Sequence, residues 1–250
     1  MIQRTPPVEL LPWDSQFFGF NVARITETCI TPGAWTQVLS WCQMNGIRCL
    51  YYEADLSDFQ SQSTASLAGF VAVDVRVVFE CLITGDFLRR NVSDLKDSRF
   101  VIRSVQPNDL PAVERVAREM GKVSRFALDP QFPRGASGKM YTIWMRKINQ
   151  SMDGIVLIGV LNNQIAGFVA CEKQKQVGRI ALVGVHSAFQ RRGTGYSLLS
   201  AALHWFSKQD CTVVRVSTQG RNLASQRLYQ KSGFHTASVS LIYHRWFDLE

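Results

Sequence analysis

Two arginines and two glycines stand where an apolar run meets a helical pattern. The run Arg179–His186 predicts a buried strand, and Tyr196 falls in the first turn of the helix that follows. Between them lies the segment Gln190-Arg191-Arg192-Gly193-Thr194-Gly195. Glycines let backbone N–H groups approach a ligand, a helix N-terminus favours anions, and arginine adds fixed positive charge. The segment therefore predicts a pyrophosphate site, and the alternative is a solvated basic turn before a core helix.

The glycine spacing of this loop excludes two familiar phosphate motifs. No Gly-Lys-Ser/Thr follows, so the loop is not a Walker A sequence, and the dinucleotide-binding fingerprint has a different glycine spacing. Other chemistry has little support. The six cysteines form no C-x-x-C pair, which favours reduced core thiols and argues against a metal site.

Charge is unevenly distributed along the 250 residues. The formal net charge is +8, made up of −4 in residues 1–97 and +12 in residues 98–250. This shift predicts two units with different roles. The basic residues are scattered, which argues against a nucleic-acid partner and favours an anionic small ligand. No apolar run is long enough to span a membrane, and the N-terminus has no signal-peptide core, so we expect a cytoplasmic protein.

Alternating strand and helix patterns predict an α/β fold in both halves. In the second half, apolar runs separated by Asn162-Asn163 predict a hairpin, and later strands alternate with helices. The first half shows the same alternation of strand and helix patterns with fewer elements. The polar segment Thr84–Ser98 is the linker candidate, so we predict a small α/β domain over 1–97 and a second domain over 98–250.

A weak internal repeat relates the two halves. Aligning them places Asp58 on Asn222 and Gly69-Phe70 on Gly233-Phe234, so that each copy reads strand, cap, helix, Gly-Phe, strand. Residues 1–97 then resemble a partial version of the second domain without its phosphate loop.

The chain resembles the GCN5-related N-acetyltransferase (GNAT) superfamily over about residues 99–250. The resemblance rests on the Gln-x-x-Gly-x-Gly loop at Gln190–Gly195 and on Asn222-x-x-Ala-x-x-x-Tyr229 before Gly233-Phe234. It implies a GNAT fold, with a mixed central sheet flanked by helices, and acetyl-CoA as co-substrate without a metal. The implied cofactor contacts are Leu182, Val183, Val185, Gln190, Arg191, Arg192, Gly193, Thr194, Gly195, Tyr196 and Asn222.

The same resemblance gives Tyr229 the role of general acid toward the departing CoA thiolate. Tyr229 lies seven residues after the predicted helix cap Asn222, about two turns into the helix. A free tyrosine has a pKa of about 10, so it is protonated at neutral pH and can give its proton to a thiolate of similar basicity. The alternative is a buried tyrosine whose hydroxyl only caps a carbonyl group.

A narrower resemblance, to the dTDP-fucosamine acetyltransferases, rests on four groups of residues. They are the stretch Leu11–Gly19, Ser124-Arg125-Phe126 with Asp129-Pro130 and Phe132-Pro133, the pair Thr218-Gln219, and the closing Tyr243-His244-x-Trp246. It implies acetylation of the amino group of a nucleotide-linked sugar, dTDP-4-amino-4,6-dideoxy-D-galactose. Because ligand sites often lie at domain interfaces, we expect this substrate to bind in a cleft between the two domains.

In that cleft, Arg125 and Tyr141 are the candidate substrate contacts. Three alternatives stay open. The acceptor could be another small amine or a protein N-terminus, or the protein could be a regulatory module that binds acyl-CoA without turnover. A homodimer is also compatible with the sequence.

Overall fold

The computed structural model describes residues 6–84 and 100–248, which divide into two compact units. The first unit comprises Met1–Arg76, Asp129–Pro133 and Val239–Glu250, and the second comprises Val77–Leu128 and Arg134–Ser238. The first unit thus combines three separate stretches of the chain. From residue 85 onward the linker candidate Thr84–Ser98 lies outside the described residues, and the division at 97/98 stays a prediction.

The elements are numbered here in chain order. The strands are β1 (Val8–Leu10), β2 (Asn21–Ile25), β3 (Ile47–Asp55), β4 (Val71–Leu82), β5 (Val101–Ser104), β6 (Gly154–Leu161), β7 (Gln164–Gln174), β8 (Val177–Val185), β9 (Val213–Gln219) and β10 (His235–Trp246). The helices are α1 (Pro12–Phe18), α2 (Pro32–Met44), α3 (Phe59–Leu67), α4 (Leu110–Met120), α5 (Arg125–Leu128), α6 (Ala136–Gln150), α7 (Thr194–Lys208) and α8 (Leu223–Lys231). The sequence predicted most of these elements but neither β1 nor the short helices α1 and α5.

In the first unit, the strand order is β1-β2-β3-β10. β2 and β3 are parallel, and β10 pairs antiparallel with β3 from Ser240↔Asp55 to Trp246↔Cys49. Helix α2 begins as predicted, because the Thr31 side chain accepts a hydrogen bond from the Ala34 N–H and Pro32 occupies the first turn. Side chains from this sheet and from α2 and α3 form the core of the unit.

In the second unit, the strand order is β9-β8-β7-β6-β5, with β8 and β9 parallel and the other pairs antiparallel. The predicted hairpin is confirmed, since Asn162 and Asn163 both have positive φ, 48° and 58°. Helices α4 and α6 cover one face of the sheet around the buried Phe168. The mixed α/β fold class is therefore confirmed.

The two copies of the internal repeat share the same local structure. Asp58 and Asn222 each accept a hydrogen bond from the backbone N–H three residues ahead, at the start of α3 and α8. Gly69 and Gly233 follow those helices with φ of 79° and 87°. The alignment of the two halves thus corresponds to real strand–cap–helix–glycine–strand segments.

Residues 6–84 and 100–248 contain neither a membrane-spanning helix nor a cluster of metal-ligating side chains. None of their helices has the length and apolar character needed to cross a bilayer. Their His, Cys, Asp and Glu side chains form no cluster of three or more that could hold a metal ion.

Candidate functional site

Strands β8 and β9 are paired over only part of their length. Their register runs from Val177↔Val213 to Ile180↔Val216, whereas β8 continues to Val185. On its other side β8 stays paired with β7 as far as Val185. Within the described residues, the segment from 181 to 185 therefore has no strand partner on its β9 side. A strand edge of this kind can hydrogen-bond an extended ligand.

A β-bulge in β8 accompanies this separation. The register with β7 shifts so that Cys171 pairs with Ile180 and Ala170 with Leu182, which leaves Ala181 as the extra residue. Beyond the bulge the strand faces different neighbours. A Cβ on Gly178 would lie 2.5 Å from Phe206 of α7, whereas a Cβ on Gly184 would lie 2.5 Å from Met120 of α4.

The polypeptide between β8 and α7 bends through two left-handed residues. Arg191 has a φ of 62° and Gly193 a φ of 91°, and α7 begins directly afterwards at Thr194. The Thr194 hydroxyl donates to the Phe189 carbonyl at 3.0 Å, which closes the turn. Arg191, Arg192 and Gly193 are exposed, so the start of a 15-residue helix is accompanied by two accessible cations.

Side-chain contacts fix this loop to the strand before it and to α8. The Gln190 amide donates to the Val185 carbonyl at 3.2 Å, at the end of the unpaired edge. A Cβ on Gly195 would lie 2.9 Å from Leu228 of α8 and 3.7 Å from Val185. The structure thus brings the predicted contacts of the loop and of β8 together at one place in the second unit.

The charges of the loop are not neutralised locally. Among the ion pairs between described residues, none involves Arg191 or Arg192, and the Arg192 guanidinium lies 5.9 Å from the Phe189 ring centre. The Tyr196 ring contacts the Lys231 ammonium at 5.7 Å. An anion at the loop would therefore meet cations without an internal carboxylate as competitor. The residues present fit the diphosphate part of a coenzyme A molecule.

Tyr229 lies in α8 and is 3% exposed. Its ring packs against Phe79 and Phe234, with ring centres 5.5 and 6.0 Å away. Burial raises the pKa of the Tyr229 hydroxyl above its usual value, the Ser225 side chain lowers it by a hydrogen bond, and Tyr141 raises it. The hydroxyl is therefore protonated over the whole physiological pH range.

The two predicted substrate contacts have different surroundings. Tyr141 is a buried residue of α6 that packs against Trp144 at 5.2 Å and is close enough to Tyr229 to affect its pKa. Arg125 begins α5, and its guanidinium lies 4.3 Å from the centre of the Phe126 ring. The structure relates Tyr141 to Tyr229, whereas the role of Arg125 stays a prediction.

Asp129 of the first unit, one of the residues behind the narrower resemblance, has a buried carboxylate for which the sequence predicted no role. Asp129 Oδ2 accepts hydrogen bonds from His244 Nδ1 at 2.7 Å and from Trp246 Nε1 at 3.0 Å, and Oδ1 accepts from the Gln131 N–H at 3.1 Å. Burial opposes the charge, but the hydrogen bonds from His244, Trp246 and Gln131 outweigh it and hold the pKa of Asp129 below its usual value. The bonds from His244 and Trp246 tie the segment Asp129–Pro133 to β10, and the bond from Gln131 closes a turn within the segment.

Comparison with known proteins assigns a family to part of the chain. Residues 122–234 match the acetyltransferase (GNAT) family. This stretch, less than half of the chain, is therefore similar to acetyltransferases of that family, in agreement with the predicted class of enzyme.

One curated relative is "Spore coat polysaccharide biosynthesis protein SpsD" of Bacillus subtilis, 23% identical over 147 residues, 59% of this chain and 51% of the relative. The chain thus spans about half the length of that relative.

Solved structures extend the similarity of fold to nearly the whole chain. A conserved protein of unknown function from Staphylococcus epidermidis has a TM-score of 0.69 at 16% identity, over 99% of this chain and 94% of that one. A tandem GNAT protein from the clavulanic acid biosynthesis pathway has a TM-score of 0.60 at 12% identity, over 92% and 76%. At these identities the matches establish the fold alone.

Proposed function

We propose that this protein is an acetyl-CoA-dependent N-acetyltransferase whose acceptor is the amino group of a nucleotide-linked amino sugar. The observation that carries the proposal is the unpaired edge of β8, which ends at the exposed arginine-glycine loop before α7. The edge suits an extended amide-bearing chain, and the loop suits a diphosphate. Acetyl-CoA would supply the acetyl group as an activated thioester.

Binding of the co-substrate rests on two kinds of donor. Arg191, Arg192 and the N–H groups of Gly193, Thr194, Gly195 and Tyr196 would neutralise the diphosphate. Charge-assisted hydrogen bonds contribute about 1.5–3 kcal/mol each. Leu182, Val183 and Val185 would offer backbone groups to the pantetheine arm. Asn222 would act indirectly, because its side chain caps the helix that carries Tyr229.

Proton transfer would rest on Tyr229. A neutral amine would attack the thioester carbonyl, and the C–S bond would break as the amide bond forms. The departing thiolate would take a proton from Tyr229, and the proton that the nitrogen loses would restore the hydroxyl. Burial keeps the Tyr229 hydroxyl protonated, so it holds a proton for that step. Its aromatic neighbours Phe79 and Phe234 fix the ring in place.

Three observations support a nucleotide-linked sugar as acceptor. The B. subtilis relative is named as a protein of spore coat polysaccharide biosynthesis. The scattered positive charge of residues 98–250 suits a phosphorylated small molecule. The resemblance at Trp13–Gly19 and at Ser124–Pro133 points to dTDP-4-amino-4,6-dideoxyhexoses, with Arg125 and Tyr141 as acceptor contacts and residues 1–97 as part of the substrate site.

A turnover screen tests this function. Release of the CoA thiol is followed with acetyl-CoA and a panel of amines, namely dTDP- and UDP-linked amino sugars, the free amino sugars, polyamines and peptides with free N-termini. We expect kcat/KM for a dTDP-4-amino sugar to exceed that for the free sugar at least 100-fold. A higher kcat/KM for a free amine or a peptide contradicts the sugar assignment. Tight acetyl-CoA binding without turnover of any amine indicates a regulatory module.

A further inference from the structure

One charged residue of the first unit occupies a strand position that otherwise carries core residues. On β10 and just beyond it, Leu241, Tyr243, Arg245 and Phe247 alternate onto the same side of the strand. Tyr243 is 4% exposed and belongs to the core of the unit, and Leu241 and Phe247 pack against that core. Arg245 is thus a cation in an apolar row.

Aromatic rings surround the Arg245 side chain. Its guanidinium carbon lies 5.0 Å from the centre of the Trp35 ring of α2 and 5.0 Å from that of Phe247. Stacking on rings uses the flat face of a guanidinium and leaves the N–H donors at its edge for polar partners.

Those donors have no partner in the described part of the chain. Arg245 Nε is buried without a hydrogen bond, and no ion pair or side-chain hydrogen bond between residues within 6–84 and 100–248 involves Arg245. Burial lowers the pKa of Arg245, and the opposing influence comes from the Cys42 thiol rather than from a carboxylate. A half-buried cation without a counter-charge is costly, and such departures from the apolar pattern are expected at binding sites.

The backbone beside the guanidinium is adapted to its position. A Cβ on Gly69, the residue that follows α3 and its last capping turn, would lie 2.7 Å from Arg245 Nη1. Glycine leaves this space free, and its φ of 79° is one that other residues rarely adopt. The position of the guanidinium is therefore defined from the α3 side as well as by the rings.

We propose that Arg245, flanked by Trp35 and Phe247, is an anion site of the first unit that takes the phosphate group of a small molecule. A guanidinium edge donates two parallel hydrogen bonds, which match two phosphate oxygens, and its charge is permanent. The anion supplies the counter-charge that the described residues do not. The site lies wholly in the first unit and does not depend on acetyl transfer.

A site-resolved titration tests this proposal. Inorganic phosphate is added to the full chain while the Arg245 Nε–H and Gly69 N–H signals are followed by ¹H–¹⁵N NMR, with saturating coenzyme A present to occupy the loop before α7. We expect both signals to shift saturably at millimolar phosphate. The control is Arg24→Gln, which removes another first-unit arginine, one already paired with Glu9, and should leave the titration unchanged. Non-saturating shifts, or equal shifts of Gly69 in Arg245→Gln, overturn the proposal.

Thermal unfolding gives a second, independent test. At ten times the dissociation constant, phosphate should raise the Tm of the wild type by about 3–5 °C more than that of Arg245→Met. If Arg245→Met does not fold, Arg245→Lys replaces it and should keep only part of the shift. Equal shifts in wild type and variant would mean that the guanidinium is purely structural.

A titration with dTDP in place of inorganic phosphate distinguishes a nucleotide-borne phosphate group from free phosphate. Tighter saturation of the two signals by dTDP than by inorganic phosphate indicates a nucleotide-borne group, and equal or weaker saturation indicates free phosphate. Either result supports the anion site, whereas no saturation with both probes refutes it.

Discussion

Replacing Tyr229 with phenylalanine tests the proposed chemistry most directly, because it removes one hydroxyl and keeps the ring between Phe79 and Phe234. The side chain is 3% exposed, so little bulk water is available to replace the lost proton donor. We expect kcat to fall about 100-fold, the usual contribution of a general acid, which corresponds to about 2.7 kcal/mol of activation free energy. The KM for acetyl-CoA should change by less than about threefold.

The same substitution has a separate effect on stability that must be distinguished from catalysis. The hydroxyl loses its hydrogen bond with Ser225, which costs about 1 kcal/mol and lowers the Tm by about 2–4 °C in a chain of this size. Tyr52→Phe is the matched control. Tyr52 is 1% exposed, its hydroxyl donates to the Thr28 carbonyl at 2.5 Å, and burial raises its pKa to about 12. It should show a similar stability loss with unchanged kcat.

The assay is steady-state release of the CoA thiol at saturating acetyl-CoA and amine, between pH 6 and pH 10. Burial raises the pKa of Tyr229, so wild-type kcat should not decline up to about pH 10, where an ordinary tyrosine would be half ionised. The reasoning is refuted if Tyr229→Phe keeps more than half of the wild-type kcat while the absence of a product burst shows that chemistry limits turnover.

Three further substitutions test other parts of the structure. Gly195→Val should raise the acetyl-CoA KM at least tenfold, because the new side chain displaces Leu228 of α8 and shifts the backbone of the loop. Gly33→Val, at the corresponding second position of α2 with nothing within 4 Å of its Cβ, should leave KM unchanged, and an unchanged KM in Gly195→Val would contradict the assignment of the loop. Gly121→Ala places a Cβ 2.8 Å from the backbone of α6 and should lower the free energy of unfolding, measured by urea titration, by about 1–3 kcal/mol. The control Gly33→Ala should leave it nearly unchanged, and equal free energies of unfolding for the two variants would contradict this packing. Asp129→Asn should cost about 1–3 kcal/mol at pH 7. Hydrogen bonds from His244, Trp246 and Gln131 hold the pKa of Asp129 below its unfolded value. The extra stability of the wild type over Asp129→Asn is therefore present above about pH 4 and is lost as the pH falls through the folded pKa. A stability difference that does not change with pH would contradict the role of this carboxylate.

The loop before α7 was predictable because its information is local. Gln190–Gly195 holds its glycines and arginines within six positions, and the structure gives Gly193 the positive φ that only glycine adopts freely. The caps Thr31 and Asn222 were predictable for the same reason, since each acts on an N–H three residues ahead. The helix and strand patterns also stood out, because they repeat over many residues.

The separation of β8 from β9 could not be predicted in this way. The bulge at Ala181 changes which side of the sheet the following side chains face. Buried residues nevertheless continue at every second position through Ile180 and Leu182, because both faces of the sheet are covered. The pattern of apolar residues therefore does not show the bulge. The Asp129–His244 pair was hidden for another reason. Its members stand 115 positions apart, and neither segment indicates its partner. The local sequence pattern carries no information about which distant segments pair.

The first unit combines stretches from both ends of the chain, and this affects how the protein folds during synthesis. β3 has β10 as its neighbour, and Ser240 of β10 hydrogen-bonds Glu53 of β3 from 187 positions further along the chain. On the ribosome, β3 therefore emerges long before its partner and presents an unpaired edge that invites pairing with other chains. Shortening the chain after Ser238 would leave that edge permanently uncovered although residues 6–76 are intact. Deletions in β10 should accordingly increase chaperone dependence and inclusion-body formation more than deletions of the same length in β1.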